Sequence, residues 1–148
     1  KIINTPIRVF KSSAYFYTFV SMTVKIGIVD DKTLNRATVR QKLQSYSEVE
    51  LLLESGNGKD FLEQLKKLKT NELPNIVLMD LDMPVMDGMM ATRQIKEKYP
   101  AVKVLVISMF HDDKFIRHLM DNGADGYLLK DAEPEDIMSA IRKLLYPG

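Results

Sequence analysis

The chain contains 148 residues, of which 45% are hydrophobic and 28% charged, a composition typical of one globular domain with a sizeable core. It has no cysteine, which excludes disulfide bonds and thiolate metal sites and is consistent with a reducing, cytoplasmic location. The formal charge is +1, but residues 1–21 supply three of the 21 basic residues and none of the 20 acidic ones. The remaining chain has 18 basic and 20 acidic residues, so its charge gives no argument for direct binding to nucleic acid.

Residues 1–21, KIINTPIRVFKSSAYFYTFVS, differ in character from the residues that follow. Basic residues precede an aromatic, hydroxyl-rich run that is shorter than the roughly 20 apolar residues of a membrane-spanning helix. The small-residue cleavage site that ends a secretory signal peptide does not follow it. We therefore expect residues 1–21 to be a leader, a tag or an extension outside the core, and residues 22–148 to form one domain.

From Val24 onward, short apolar runs alternate with segments of helical periodicity. The apolar runs predict five strands, at residues 24–29, 49–55, 75–79, 102–108 and 125–130. The periodic segments predict five helices, at residues 32–46, 58–70, 88–99, 112–122 and 133–146. Pro134 falls in the first turn of the last helix, and Gly123 follows the fourth as its expected cap. Strands that are apolar on both faces and alternate with helices indicate an α/β doubly wound fold, with a parallel sheet covered on both sides.

Polar side chains are concentrated where the predicted strands end. In an open parallel sheet the functional crevice lies beyond the carboxyl ends of the strands, so these side chains should lie close together. The first strand ends at Asp30 and Asp31, and the third ends at Asp80 and Asp82. Ser108 ends the fourth strand, and Lys130 ends the fifth.

This set of side chains favours phosphoryl chemistry. Three neighbouring carboxylates repel one another, and Mg²⁺ relieves the repulsion while leaving coordination places for phosphate oxygens. A carboxylate can attack phosphorus to form an acyl phosphate. We therefore predict that Asp80 is the nucleophile, and that Asp30 and Asp31 hold the metal together with Asp80. Lys130 and Ser108 would contact oxygens of the phosphoryl group.

The segments IVDD, VLMDLDMPVMDG, VLVIS and GADGYLLKDA, in this order, resemble the receiver domain of bacterial two-component response regulators over roughly residues 24–146. The resemblance implies a flavodoxin-like sheet with five strands in the order 2-1-3-4-5. It implies phosphorylation of Asp80 by a sensor histidine kinase with Mg²⁺, and a metal ligand from the main-chain carbonyl of Asp82. It also implies that Ser108 and Tyr127 form a switch pair, which changes the face made by the fourth helix, fifth strand and fifth helix. Such a domain catalyses only its own phosphorylation and dephosphorylation.

Two departures from many receivers indicate a subgroup. Met109 follows the switch residue Ser108, and Asp131 follows Lys130. In both features the sequence resembles receivers that precede a LuxR-type helix-turn-helix DNA-binding domain. The resemblance implies control of transcription, with DNA as a partner only through an output domain outside this sequence. Homodimerisation on phosphorylation is a further expectation, through the first and fifth helices or through the face from the fourth helix to the fifth. No membrane partner is expected.

Two alternatives share part of the pattern. A phosphatase of the haloacid-dehalogenase type also uses D-x-D, a hydroxyl residue and a lysine in this order. Its acidic metal pair follows the lysine, whereas Asp30 and Asp31 precede every other site residue here. The third interpretation is a receiver-like module that only binds partners and is never phosphorylated, and the complete set of site residues disfavours it.

Overall fold

The computed structural model describes residues 4–11, 14–21, 23–81, 83 and 86–148, and for residues 4–11 and 14–21 it describes the backbone. These residues form a five-stranded sheet, a separate two-stranded sheet and five α-helices, and none of the helices is both long and apolar enough to cross a lipid bilayer. The strands are β1 (Asn4–Lys11), β2 (Ala14–Ser21), β3 (Val24–Val29), β4 (Val49–Ser55), β5 (Ile76–Asp80), β6 (Lys103–Ser108) and β7 (Gly126–Leu129). The helices are α1 (Thr33–Leu43), α2 (Gly58–Lys66), α3 (Gly88–Lys98), α4 (Asp113–Asp121) and α5 (Pro134–Leu145).

The five strands from β3 to β7 form a parallel sheet in the order β4-β3-β5-β6-β7. Numbered from β3, this is the order 2-1-3-4-5, so the expected flavodoxin-like doubly wound α/β fold is confirmed. Because every neighbouring pair is parallel, the carboxyl ends of all five strands lie at the same edge of the sheet. The parallel direction of the strands therefore brings the polar residues that were predicted to meet to this one edge.

The segment before the parallel sheet forms an antiparallel pair. β1 pairs with β2 from Asn4 opposite Ser21 to Lys11 opposite Ala14. No strand was predicted in this segment. Its assignment to a leader, a tag or an extension stays a prediction, and Met22, the first residue of the predicted domain, lies outside the described residues.

All ten predicted strands and helices are present, and the helix ends differ most from expectation. α1 ends at Leu43 and α2 at Lys66, whereas the periodicity predicted ends at residues 46 and 70. After α2 the chain tightens into a turn, in which the Leu68 amide donates to the Leu65 carbonyl at 3.1 Å, and then forms a 3₁₀ helix at Thr70–Glu72. Gly123 has a φ of 101° after α4, which confirms its expected capping position.

Consecutive residues of the central strands face two different hydrophobic cores. Met79 and Val106 belong to the core beneath α2, α3 and α4. Leu78 and Leu105, their neighbours in sequence, belong to the core beneath α1 and α5, which also contains Ile137. The two-residue alternation of the strands therefore fills both layers, as a doubly wound sheet requires.

Helix α1 is attached to the sheet largely by polar contacts. Within α1, whose residues are all described, only Leu43 is fully buried, and Leu34 in the first turn is 78% exposed. Arg40 donates to both carboxylate oxygens of Glu54 in β4, at 3.0 and 2.8 Å. The hydrogen bond from Arg40 is the main reason that the pKa of Glu54 lies below its ordinary value. This two-point ion pair fixes α1 beside the carboxyl end of β4.

Helix α3 begins directly against the end of β5. The Asp87 side chain caps it by accepting from the Met90 amide at 2.8 Å, and the Gly88 amide donates to the Leu81 carbonyl at 2.9 Å. A Cβ atom on Gly88 would overlap the Asp80 carbonyl oxygen and lie 2.7 Å from the Cα of Leu81. The Asp-Gly pair therefore sets how closely α3 approaches the strand that carries Asp80.

Gly88→Ala is expected to lower the free energy of unfolding by about 3 kcal/mol, because its methyl group would overlap backbone that has no room to move. Gly56→Ala is the matched control, since a Cβ atom there would meet only a guanidinium nitrogen of Arg36, at 3.7 Å. Urea denaturation followed by circular dichroism measures both variants. Equal stability of the two would contradict the close approach at Gly88.

Candidate functional site

Three carboxylates meet at the carboxyl edge of the sheet, as predicted. Asp30 and Asp31 follow β3, Asp80 ends β5, and these two strands are neighbours in the sheet. One oxygen from each of the three carboxylates lies within 4.8 Å of the others. Asp30 and Asp80 are buried, with 7% and 4% exposure, and the Asp31 side chain is 28% exposed. Asp82, the fourth predicted metal residue, lies outside the described residues.

The geometry of the cluster fits a small hard cation. Ligand oxygens on opposite sides of Mg²⁺ are about 4.2 Å apart, so oxygens separated by 4.8 Å or less need to move by less than about an ångström. Two ammonium groups, those of Lys32 and Lys130, face the three carboxylates. The negative charge of Asp31 raises the pKa of Lys32, because it stabilises the charged ammonium form. The residual negative charge would favour binding of a divalent cation.

Asp30 is held in place by the start of α1. Its carboxylate accepts from the Lys32 amide at 2.9 Å and from the Asn35 side-chain amide at 3.3 Å. The guanidinium of Arg36 donates to the main-chain carbonyl of Asp30 at 2.6 Å. These contacts fix both the backbone and the side chain of the first acidic residue. Asn35 and Arg36 were not predicted as site residues, because a polar residue in the first turn of a helix carries no sequence signature of its contacts.

Lys130 forms the ion pair at the centre of the site. Its ammonium nitrogen lies 3.0 Å from an Asp80 carboxylate oxygen, and its side chain is 27% exposed. The Lys130 amide donates to the Ser108 carbonyl at 2.9 Å, which aligns the residue after β7 with the end of β6. The predicted approach of Lys130 to Asp80 is therefore present, and it partly offsets the charge of the carboxylate cluster.

Ser108 and Tyr127 lie on the neighbouring strands β6 and β7. Ser108 is 4% exposed, and its hydroxyl oxygen accepts from the Phe110 amide at 3.1 Å, which folds the following loop onto the strand end. Tyr127 lies opposite Val106 and packs against the core beneath α2, α3 and α4. Its hydroxyl is buried and has no hydrogen-bond partner among the described residues, and this burial raises the pKa of Tyr127. A buried phenol is thus present on the strand next to the one that carries Ser108, while its switching role stays a prediction.

Comparison with known proteins agrees with this geometry. A family model of the response regulator receiver domain matches residues 26–142. Among curated proteins, the response regulator protein VraR of Staphylococcus aureus is 38% identical over 122 residues, which are 82% of this chain and 56% of VraR. The chain therefore spans about half the length of this relative.

Solved structures give the same result. The signal receiver domain of NarL from Mycobacterium tuberculosis superposes with a TM-score of 0.76 at 28% identity, covering 86% of this chain and 99% of that one. A DNA-binding response regulator of the LuxR family from Staphylococcus aureus superposes with a TM-score of 0.72 at 25% identity, covering 82% and 98%. The family match, the strand order and the carboxylate cluster at the ends of β3 and β5 agree, and the chain belongs to the receiver domain family of two-component response regulators, with relatives of the LuxR type.

Proposed function

We propose that Asp80 of this receiver domain accepts a phosphoryl group from a sensor histidine kinase in the presence of Mg²⁺. The observation that carries the proposal is the position of Asp80. It lies buried at the end of β5, 3.0 Å from the ammonium of Lys130 and within 4.8 Å of the Asp30 and Asp31 carboxylates. The alternative of a haloacid-dehalogenase-type phosphatase loses its support, because the receiver family model spans residues 26–142.

Each group at the site has a distinct task in this reaction. A carboxylate oxygen of Asp80 attacks phosphorus, the bond from phosphorus to the donor nitrogen breaks, and an acyl phosphate forms on Asp80. Asp30 and Asp31 would hold Mg²⁺ together with Asp80 and the Asp82 carbonyl, and the bound ion would offset charge on the phosphoryl oxygens. The Lys130 ammonium, already 3.0 Å from Asp80, would turn to a phosphoryl oxygen. The domain thus catalyses only its own modification.

Ser108 supports the same assignment. A hydroxyl has one donor and two acceptor positions, and the contact with the Phe110 amide uses an acceptor position. The Ser108 O–H can therefore donate to a phosphoryl oxygen on Asp80 while the loop contact is kept. We assign Ser108 and Tyr127 as the switch pair, and a movement of both would change the face made by α4, β7 and α5.

The wider role follows from the relatives. The chain covers 56% of VraR, so we propose that an output domain outside this sequence binds DNA and that this receiver controls it. We further propose a sensor histidine kinase as the partner that phosphorylates Asp80, homodimerisation on phosphorylation, and a cytoplasmic location.

Incubation with Mg²⁺ and acetyl phosphate is expected to add one phosphoryl group, measured as the intact mass of the protein. Asp80→Asn and removal of Mg²⁺ should each abolish the addition, because each removes a required group. Asp121→Asn, an exposed acid on α4, is the control and should behave as wild type. An adduct that survives Asp80→Asn would refute the assignment. No adduct from acetyl phosphate or from a panel of histidine kinases, with the protein folded, would favour a module that only binds partners.

Mg²⁺ is expected to stabilise the fold because it binds the native carboxylate cluster and not the unfolded chain. At a free concentration 100 times its Kd, the free energy of unfolding should rise by about 2.7 kcal/mol. Asp31→Asn should raise the Kd by about tenfold or more, since even outer partners of a metal site contribute that much. Urea denaturation across a Mg²⁺ series measures both effects, with Asp121→Asn as the control. Identical Mg²⁺ dependence of Asp31→Asn and wild type would exclude Asp31 from the metal site.

Tyr127→Phe is expected to change the pH dependence of stability. Burial raises the pKa of Tyr127 above its ordinary 10.0, so the folded state holds the phenol proton more tightly than the unfolded state does. The resulting stabilisation of the wild type is complete below about pH 10 and is lost as the pH rises through the folded-state pKa. The difference in free energy of unfolding between wild type and Tyr127→Phe should therefore be constant up to pH 9 and change above pH 10, in favour of the variant. Denaturation from pH 7 to 11 measures it, and Tyr146→Phe, at a 40% exposed site, is the control.

A further inference from the structure

The side of α1 that faces α5 is incompletely packed. Asn35, Thr38 and Lys42 of α1 line a cavity of about 100 Å³, whose other walls include Asp80 and Lys130. Val39 also lines the cavity and packs against the core beneath α1 and α5, but the polar residues at positions 35, 38 and 42 on this face leave space between the helix and the sheet. The cavity therefore lies between α1 and the Lys130 side of the turn, while Ala132 at the end of the turn packs against the core beneath α1 and α5.

Lys42 bridges this gap. Its ammonium donates to the main-chain carbonyl of Ala132 at 2.8 Å, although the two residues are 90 positions apart. Ala132 is part of the turn from Leu129 to Ala132, which is closed by a 3.1 Å hydrogen bond from the Ala132 amide to the Leu129 carbonyl. The other end of the turn is fixed by the Lys130 amide, which donates to the Ser108 carbonyl. The turn is thus held to β6 at one end and to α1 at the other.

We propose that Lys42 is a positioning residue, which holds the turn so that the Lys130 ammonium reaches the phosphoacceptor. The proposal rests on the role of Lys130 in the proposed function. A long, flexible lysine side chain reaches Asp80 reliably only if its backbone is fixed. Without the Lys42 contact, the turn can relax into the adjacent cavity, and the ammonium moves away from Asp80. Small displacements of this kind lower the rate and do not weaken metal binding, because the carboxylate of Asp30 is held by other contacts.

Lys42→Met tests the proposal because methionine keeps the length of the side chain and removes the donor. The rate constant for phosphorylation of Asp80 by acetyl phosphate at saturating Mg²⁺ should fall by about tenfold, within the range expected for a displacement of about 1 Å. The affinity for Mg²⁺ should not fall, since the contacts of Asp30 are unchanged and a retreat of the Lys130 ammonium removes positive charge from beside Asp80. Lys42→Arg keeps a donor and should recover most of the rate, and Lys98→Met, at an exposed site on α3, should match wild type.

A double-mutant cycle separates positioning from a general structural effect. If Lys42 acts through Lys130, Lys42→Met should have no further effect on the rate in a Lys130→Met background, so the two effects are strongly non-additive. A tenfold effect that persists in that background would overturn the proposal. So would a wild-type rate for Lys42→Met, or a loss of Mg²⁺ affinity that parallels the loss of rate.

Amide hydrogen exchange tests the turn without phosphorylation. Lys42→Met should speed exchange at the Lys130 and Ala132 amides by at least about fivefold while leaving the Val102 amide, bonded to the Tyr99 carbonyl at the opposite edge of the sheet, unchanged. Unchanged exchange in the turn would refute the positioning role. Failure of the wild type to accept a phosphoryl group would instead refute the proposed function, and the exchange result would still decide whether Lys42 holds the turn.

Discussion

The repulsion between three carboxylates at one edge of the sheet is the constraint on which the structure depends. Asp30, Asp31 and Asp80 are brought within 4.8 Å because β3 and β5 are parallel neighbours. Two of these acids are buried, where water screens their charge poorly. The Lys130 ammonium offsets part of that charge through its 3.0 Å contact with Asp80. A cation and a phosphoryl group would each change this balance.

The helix next to the carboxylates, α1, is held largely by polar contacts and not by deep packing. α1 buries only Leu43 of its described residues, and its position depends on the pairing of Arg40 with Glu54. Its first turn holds Asp30 through Asn35 and Arg36. On the other side, Gly88 fixes α3 against the backbone of β5. The sheet core provides rigidity, while these few contacts set the geometry of the acidic residues.

The sequence predicted the parts of the molecule that depend on local pattern. Apolar runs ending in Asp30, Asp80 and Ser108 predicted both the strands and the edge at which these residues meet, because strand direction alone places them there. The structure also contains the hairpin of β1 and β2, which was missed because its aromatic and hydroxyl residues resembled a leader. The contacts of Lys42, Asn35 and Arg36 could not be predicted, because their partners, two backbone carbonyls and the Asp30 carboxylate, leave no periodic pattern. Asp82 lies outside the described residues, so its assigned carbonyl ligand stays a prediction.

The turn from Leu129 to Ala132 connects the carboxylate site with the outer face of β7 and α5. One side of the turn places Lys130 at Asp80 and faces the cavity behind α1. On the other side, Leu129 and Ala132 line a groove on the surface of β7 and α5, together with Tyr127. A change in the Lys130 contact therefore acts on backbone that belongs to both the phosphoacceptor site and the outer face. Because Lys42 holds the same backbone from α1, the stiffness of this one turn would set how strongly a charge added at Asp80 alters the outer face.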